Sequence, residues 1–263
     1  MRSVSAAIRA ALLTPDPRAK VMAARDVARE WRLGRLEFCF DTVMPDRPSW
    51  PEQPELLDPR DMPRRGKGGS DKNRTALWHA LAHIEFVAID LALDMAGRFG
   101  GIMGREFLGD FLAVAADEAM HFALLDRKLR QLGCYYGALP AHAGLWETAQ
   151  RTADDVAARL AVVPMVLEAR GLDVTPAMLE RVRSQGDENG AKILERILDD
   201  EIRHVAVGTK HFIADCEKRG ESPQNRWKSL VQEHFHGGLK APFNDSARLA
   251  AGLSRDFYVG LAS

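Results

Sequence analysis

Two Glu-x-x-His motifs, Glu118-Ala119-Met120-His121 and Glu201-Ile202-Arg203-His204, are the residues of this chain best suited to chemistry. A spacing of three is close to one helical turn, so on a helix each carboxylate and imidazole leave the same face, which is a metal-ligand geometry. Glu118 follows Glu85 by 33 residues and Glu201 follows Glu168 by 33, so Glu85/Glu168, Asp117/Asp200, Glu118/Glu201 and His121/His204 superpose at a single offset of 83. One Glu from each of two helices, with Glu-x-x-His from each of two others, is the inward-facing ligand set of a di-metal four-helix bundle. One such motif alone is commonplace on exposed helices; six residues in register are a constellation.

Glu and neutral His are borderline-to-hard donors that suit Fe(II), Fe(III) and Mn(II), and no thiolate stands near them to select zinc or copper(I). A ligating His usually donates its other ring N–H to a carboxylate. Asp117 and Asp200, each preceding a motif Glu, are candidates for that role, Asp200 toward His121 and Asp117 toward His204, with Arg203 placed to pair with one of them. His79 and His83 are one turn apart, but His83 lies about 200° around a helix from Glu85, which favours packing or interhelical hydrogen bonds over ligation.

The elements that must carry these residues are helices. Residues 71 to about 100 repeat apolar positions at helical spacing through Trp78, Leu81, Glu85, Ala88, Ile89 and Ala92, with Ser70 or Asp71 as N-cap and Gly100-Gly101 as the expected end. A second helix is expected over 104–131, with Phe107, Phe111, Val114, Glu118, His121, Leu125 and Leu129 inside, and a third over 148–170, kinked at Pro164. Thr175-Pro176 reads as the start of a separate short helix over 176–185, followed by a long helix over 187–218. The segment 133–147 supplies the long crossover of such a bundle. Before the bundle lie helices over about 4–13 and 16–34 and a strap, 44–65, with six prolines; beyond it come helices over 224–235 and 245–252. The expected organisation is all-α: an appendage and strap (1–70), the bundle (71–219) and a C-terminal extension (220–263).

Composition excludes several classes. Residues are 46% apolar, enough for a sizeable core, and a net charge of −1 with a pI near 6.7 argues against a generally basic nucleic-acid binder. One local basic stretch, 60–74, holds Arg60, Arg64, Arg65, Lys67, Lys72 and Arg74, which could meet a phosphate of RNA or a nucleotide; a solvated loop is the plainer reading. Cys39, Cys134 and Cys216 are scattered and odd in number, implying a reducing, cytoplasmic setting with no disulfide framework or structural zinc. No uninterrupted apolar run approaches about 18 residues, so no membrane span is expected.

The motifs Asp-Glu-Ala-Met-His and Asp-Glu-Ile-Arg-His, together with Glu85 and Glu168, resemble the ferritin-like di-iron carboxylate superfamily. More narrowly, His79-Ala-Leu-Ala-His83-Ile-Glu85, Glu168-Ala-Arg-Gly-Leu-Asp173 and Ala241-Pro-Phe-Asn244 resemble a bacterial branch known as a domain of unknown function, over residues about 40–255. The resemblance implies a ferritin-like four-helix bundle with two iron ions, Mn/Fe occupancy being compatible with the same donors. Glu118 and Glu201 would bridge, Glu85 with His121 and Glu168 with His204 completing the two metals. It implies O2 activation with a separate electron donor and hydroxylation of an organic substrate, a tRNA-modifying hydroxylase being one relative in the superfamily. The alternative is a metal-handling protein with a ferroxidase-like site and no organic substrate; an oligomer is open under both. Leu125 occupies the position where ribonucleotide reductase small subunits carry a radical tyrosine, and the four-cysteine site of rubrerythrins is absent.

Overall fold

The computed structural model describes residues 2–63 and 70–261. Arg64, Arg65 and Lys67 of the basic stretch lie outside the described residues. Within it, Arg60 pairs with Asp58 at 3.3 Å and Arg74 pairs with Asp71. Among the described residues the protein is all-α, with one two-residue parallel strand pair, and it separates into two compact units, Met1–Trp146 and Glu147–Ser263. The division falls between the two halves of the 83-residue repeat.

The first unit is built on a helical hairpin of α3 (Asp71–Met103) and α4 (Arg105–Gln131). Ser70 caps α3 by accepting from the Asn73 N–H at 3.4 Å. The helix does not stop at Gly100-Gly101 as expected. Phe40 packs flat over this pair, where a Cβ on either residue would come within 3.0 Å of its ring, so the glycines admit a neighbour rather than end a helix. The end comes at Gly104, with φ +97° and ψ 179°, a conformation open to glycine and denied to residues with a Cβ. One residue therefore joins helices of 33 and 27 residues.

An 18-residue window of α3 has mean hydropathy 1.4, enough by length and composition to cross a bilayer, and 72% of that window is buried inside the protein. Trp78, Phe86, Ile89 and Leu93 from α3 meet Phe107, Phe111, Phe122 and Leu125 of α4 in this core. Around the hairpin pack β1 (Arg2–Ser3), α1 (Val4–Leu12), α2 (Pro17–Arg32) and β2 (Leu36–Glu37), α2 lying along α4 with Trp31 against Gly109. Lys20, fully buried, donates to Asp90 at 2.6 Å and to the Leu12 and Ser49 carbonyls; Trp50 donates to the other Asp90 oxygen at 2.7 Å. Burial raises the Asp90 carboxyl to about 6, with Lys20 and Trp50 pulling the other way. This network fastens the proline strap to α3.

α5 (Gly144–Gln150) spans the division, and the second unit continues with α6 (Val156–Val162), a π-helical segment (Val163–Glu168) and α7 (Ala169–Ser184), packed on α8 (Glu188–Arg219). Three expectations need correction. The third helix starts at 156, where Asp155 caps the Ala157 and Ala158 N–H groups, rather than at 148. Pro164 opens a π turn instead of a simple kink. Thr175-Pro176 starts no new helix, because α7 runs through it. Pro176 cannot donate to the Leu172 carbonyl one turn back, and the Asn244 side-chain amide donates to that carbonyl instead, at 3.1 Å.

Asn244 belongs to a clasp. Its backbone N–H donates to Asp173 at 2.9 Å, and Arg248 makes a bidentate pair with the same carboxylate at 2.8 and 2.7 Å. The Arg248 guanidinium stacks on Phe243 and Tyr258. The Glu168-to-Asp173 and Ala241-to-Asn244 motifs thus serve in part to hold α10 (Asp245–Ala250) and the chain before it on α7. α9 (Pro223–His234) and α11 (Arg255–Tyr258) complete the unit, with Trp227 donating to the Ala161 carbonyl at 3.2 Å.

Candidate metal centre

The α3–α4 hairpin sets Glu85, Glu118 and His121 face to face. Glu85 lies 19 residues before the Gly104 turn; Glu118 and His121 lie 14 and 17 after it, so antiparallel pairing brings them level. Their ligand atoms lie within 4.8 Å of one another, and all three side chains are buried. His121 presents Nδ1 to both carboxylates, 3.3 Å from Glu85 Oε2 and 3.4 Å from Glu118 Oε2.

Two carboxylates this close in an apolar interior cannot both stay charged cheaply. Burial first, and then the negative charge of Glu118, raise the Glu85 carboxyl well above the ordinary range, while its contact with His121 opposes. Burial lowers the His121 imidazolium, but hydrogen bonds and charge from Glu118 and Glu85 outweigh it and lift the group to about 11. The cluster therefore shares protons to limit its charge. A divalent cation does the same work better, and its binding would release those protons. The donors are oxygen and imidazole with no sulfur, which fits iron or manganese.

In the second unit α8 carries Glu201 and His204 one turn apart on its inner face, both buried, with Nδ1 of His204 3.8 Å from Glu201 Oε1. Asp200 is also buried and takes Arg196 at 2.6 Å and Arg203 from the helix surface, so Arg203 does pair with an aspartate. Glu168 is half-buried at the last position of the π segment, and Asp117 is half-buried on α4. The buried trio is the part of the expected ligand set that the first unit assembles by itself.

His79 and His83 hold the segment after α4. Nε2 of His79 accepts from the Gly137 and Leu139 N–H groups at 3.0 and 3.4 Å, and His83 bridges the Tyr136 hydroxyl and the His142 carbonyl at 2.9 and 3.1 Å. Since a carbonyl only accepts, Nε2 of His83 carries its proton and Tyr136 donates to Nδ1. Sequence reasoning gave the histidines this kind of role and missed Tyr136, whose partner lies 53 residues away.

Burial holds His79 down to about 4, and protonation would set an N–H against the two it accepts. A histidine near 6.5 when unfolded and near 4 when folded destabilises the fold as pH drops through that window, the loss levelling off below it. Urea unfolding should show about 2 kcal/mol lost to this group after allowance for solvent screening. His79→Gln, which keeps an acceptor, should flatten the slope; an unaltered slope would place the acid sensitivity elsewhere.

The class defined by fold and site is an all-helical protein with a buried carboxylate–imidazole cluster that could hold a metal ion. The chain belongs to the family described as "Protein of unknown function (DUF455)", whose model matches residues 13–259. It is 39% identical over 259 residues to an "Uncharacterized protein" of Haemophilus influenzae, covering 94% of this chain and 90% of that one. No solved structure matches it.

Proposed function

We propose that this protein is a non-haem di-iron oxidoreductase of ferritin-like type, which uses O2, two electrons from a separate reductase and two protons to hydroxylate an organic substrate, the second oxygen atom leaving as water. The observation that carries the reading is the buried Glu85–Glu118–His121 trio, three hard-to-borderline donors sharing protons in an apolar core. Glu168, Glu201 and His204, repeated at the offset of 83, supply the matching donors, so that four Glu and two His hold the two metals. Paired iron in such a donor set supplies two-electron chemistry toward O2.

The chain's own contribution is orientation and dryness. Phe86 and Phe122, next in sequence to Glu85 and His121, pack on each other at 5.4 Å and on Tyr136 at 5.3 and 5.0 Å, walling that side of the trio against water. Leu125, fully buried, lies one turn beyond His121 and offers no redox-active side chain there.

Anaerobic loading with Fe(II) followed by O2 tests the reading. It expects about two irons per chain and O2 consumption coupled to an oxygenated product when a reductase and candidate substrates are supplied. Iron accumulating without product would favour a ferroxidase-like metal-handling protein. Failure to take up paired metal would end both.

A further inference from the structure

The sequence marks Pro164 as unusual, and the structure shows what it touches. Pro164 lies one turn before Glu168 and opens the π segment that ends on that residue. Gly208 lies one turn beyond His204 and two beyond Glu201 on the inner face of α8. These two residues meet. A Cβ built on Gly208 would overlap the Pro164 ring at Cγ and Cβ, whereas the Pro164 Cα stands 3.7 Å away. No other backbone approach in the second unit is this close among the described glycines.

The consequence is a layer of contact directly beside the layer that carries Glu168 and His204. Side chains normally hold packed helices about 8–10 Å apart, and a glycine facing a proline ring lets two backbones come nearer than that. The π turn adds one residue to a turn of helix, so Glu168 is rotated by about 100° from where an uninterrupted α-helix would put it. Proline supplies the reason for the break, since it cannot donate to the carbonyl one turn back.

We propose that the Pro164–Gly208 contact is a positioning device, setting the separation and rotation of the Glu168/His204 half of the di-metal centre. It rests on the ligand assignment above. Neither residue touches a metal; both act through the ligand one turn away. The Glu85/His121 half is held by the α3–α4 hairpin and does not depend on this contact.

The test uses the full chain loaded with Mn(II) alone, read by metal analysis and electron paramagnetic resonance, with circular dichroism as the check on folding. Wild type should give the spectrum of a magnetically coupled Mn(II) pair. Gly208→Ala should give an isolated Mn(II) and about half the metal, because only the hairpin half still binds. The double variant Pro164→Gly/Gly208→Ala relieves the overlap but lacks the proline that breaks the helix, so it should fold and still lack the coupled pair. Pro164→Ala loosens the contact while adding a good helix former, and should lose the pair without loss of helix.

A coupled pair in Gly208→Ala, in Pro164→Ala or in the folded double variant would overturn the inference. If Gly208→Ala does not fold, the double and Pro164→Ala variants decide the matter. A wild type that binds no paired metal would instead sink the di-iron reading itself, so the two failures are distinguishable.

Discussion

Glu118→Ala should lower Fe(II) and Mn(II) affinity by at least about 100-fold while leaving the fold intact, since altering even an outer partner of a ligand commonly costs about 10–100-fold. Glu118 is 1% exposed and faces the same His121 nitrogen as Glu85. Without metal, removing it relieves the like-charge contact that raises the Glu85 carboxyl and leaves one carboxylate against one imidazolium. The metal-free variant should therefore melt no lower than wild type, apart from the small cavity left behind. Titration calorimetry beside a thermal melt separates the two effects. A variant that melts normally and binds metal at wild-type strength would remove Glu118 from the site.

The second large effect belongs to the clasp. Asp173→Ala should destabilise the protein by about 3–5 kcal/mol, because it strands the buried Arg248 charge, and Arg248→Ala by less, because Asp173 keeps Arg170 at 3.6 Å and the Asn244 N–H. The two side chains are 0% and 2% exposed and joined by two short hydrogen bonds. Asp173→Ala also frees the Asn244 N–H and loosens the amide that replaces the missing bond at Pro176. Substituting both with apolar residues, Asp173→Leu with Arg248→Met, should cost less than either single change, since no unpaired charge remains. Urea unfolding of wild type, the singles Asp173→Leu and Arg248→Met and their double closes the cycle; additive losses would show that the pair is not coupled.

What could be read from the sequence was local or periodic. The apolar stripe through Phe107 to Leu129 is buried at the expected positions, and Ser70, one of the two expected caps, caps α3. Glu85, Glu118 and His121 could be placed because one helical period and one short turn decide which residues share a face. What escaped depended on distant partners. Nothing near Pro176 shows that Asn244 will satisfy the Leu172 carbonyl, and nothing near Gly100-Gly101 shows that Phe40 will lie on it. Thr175-Pro176 carries an ordinary start signal and Gly100-Gly101 an ordinary stop signal, both overruled by tertiary contacts. Lys20 was legible in hindsight, since it stands with Val21, Ala24 and Val27 on the buried side of α2, and a Lys there requires an anion. Asp90 on α3 is that anion.

The single-residue joint at Gly104 bears on the order of events as the chain folds. Loop closure costs least entropy when the loop is shortest, and contacts between neighbouring stretches form before distant ones. Two long helices hinged at one residue can zip from the hinge outward, and the zipper passes Glu118 and Glu85 about halfway along. The Glu85–Glu118–His121 trio is thereby complete on 61 consecutive residues, Asp71–Gln131, independently of Glu168, Glu201 and His204 downstream. A nascent chain that has released this hairpin already carries a carboxylate–imidazole cluster that could hold a metal ion.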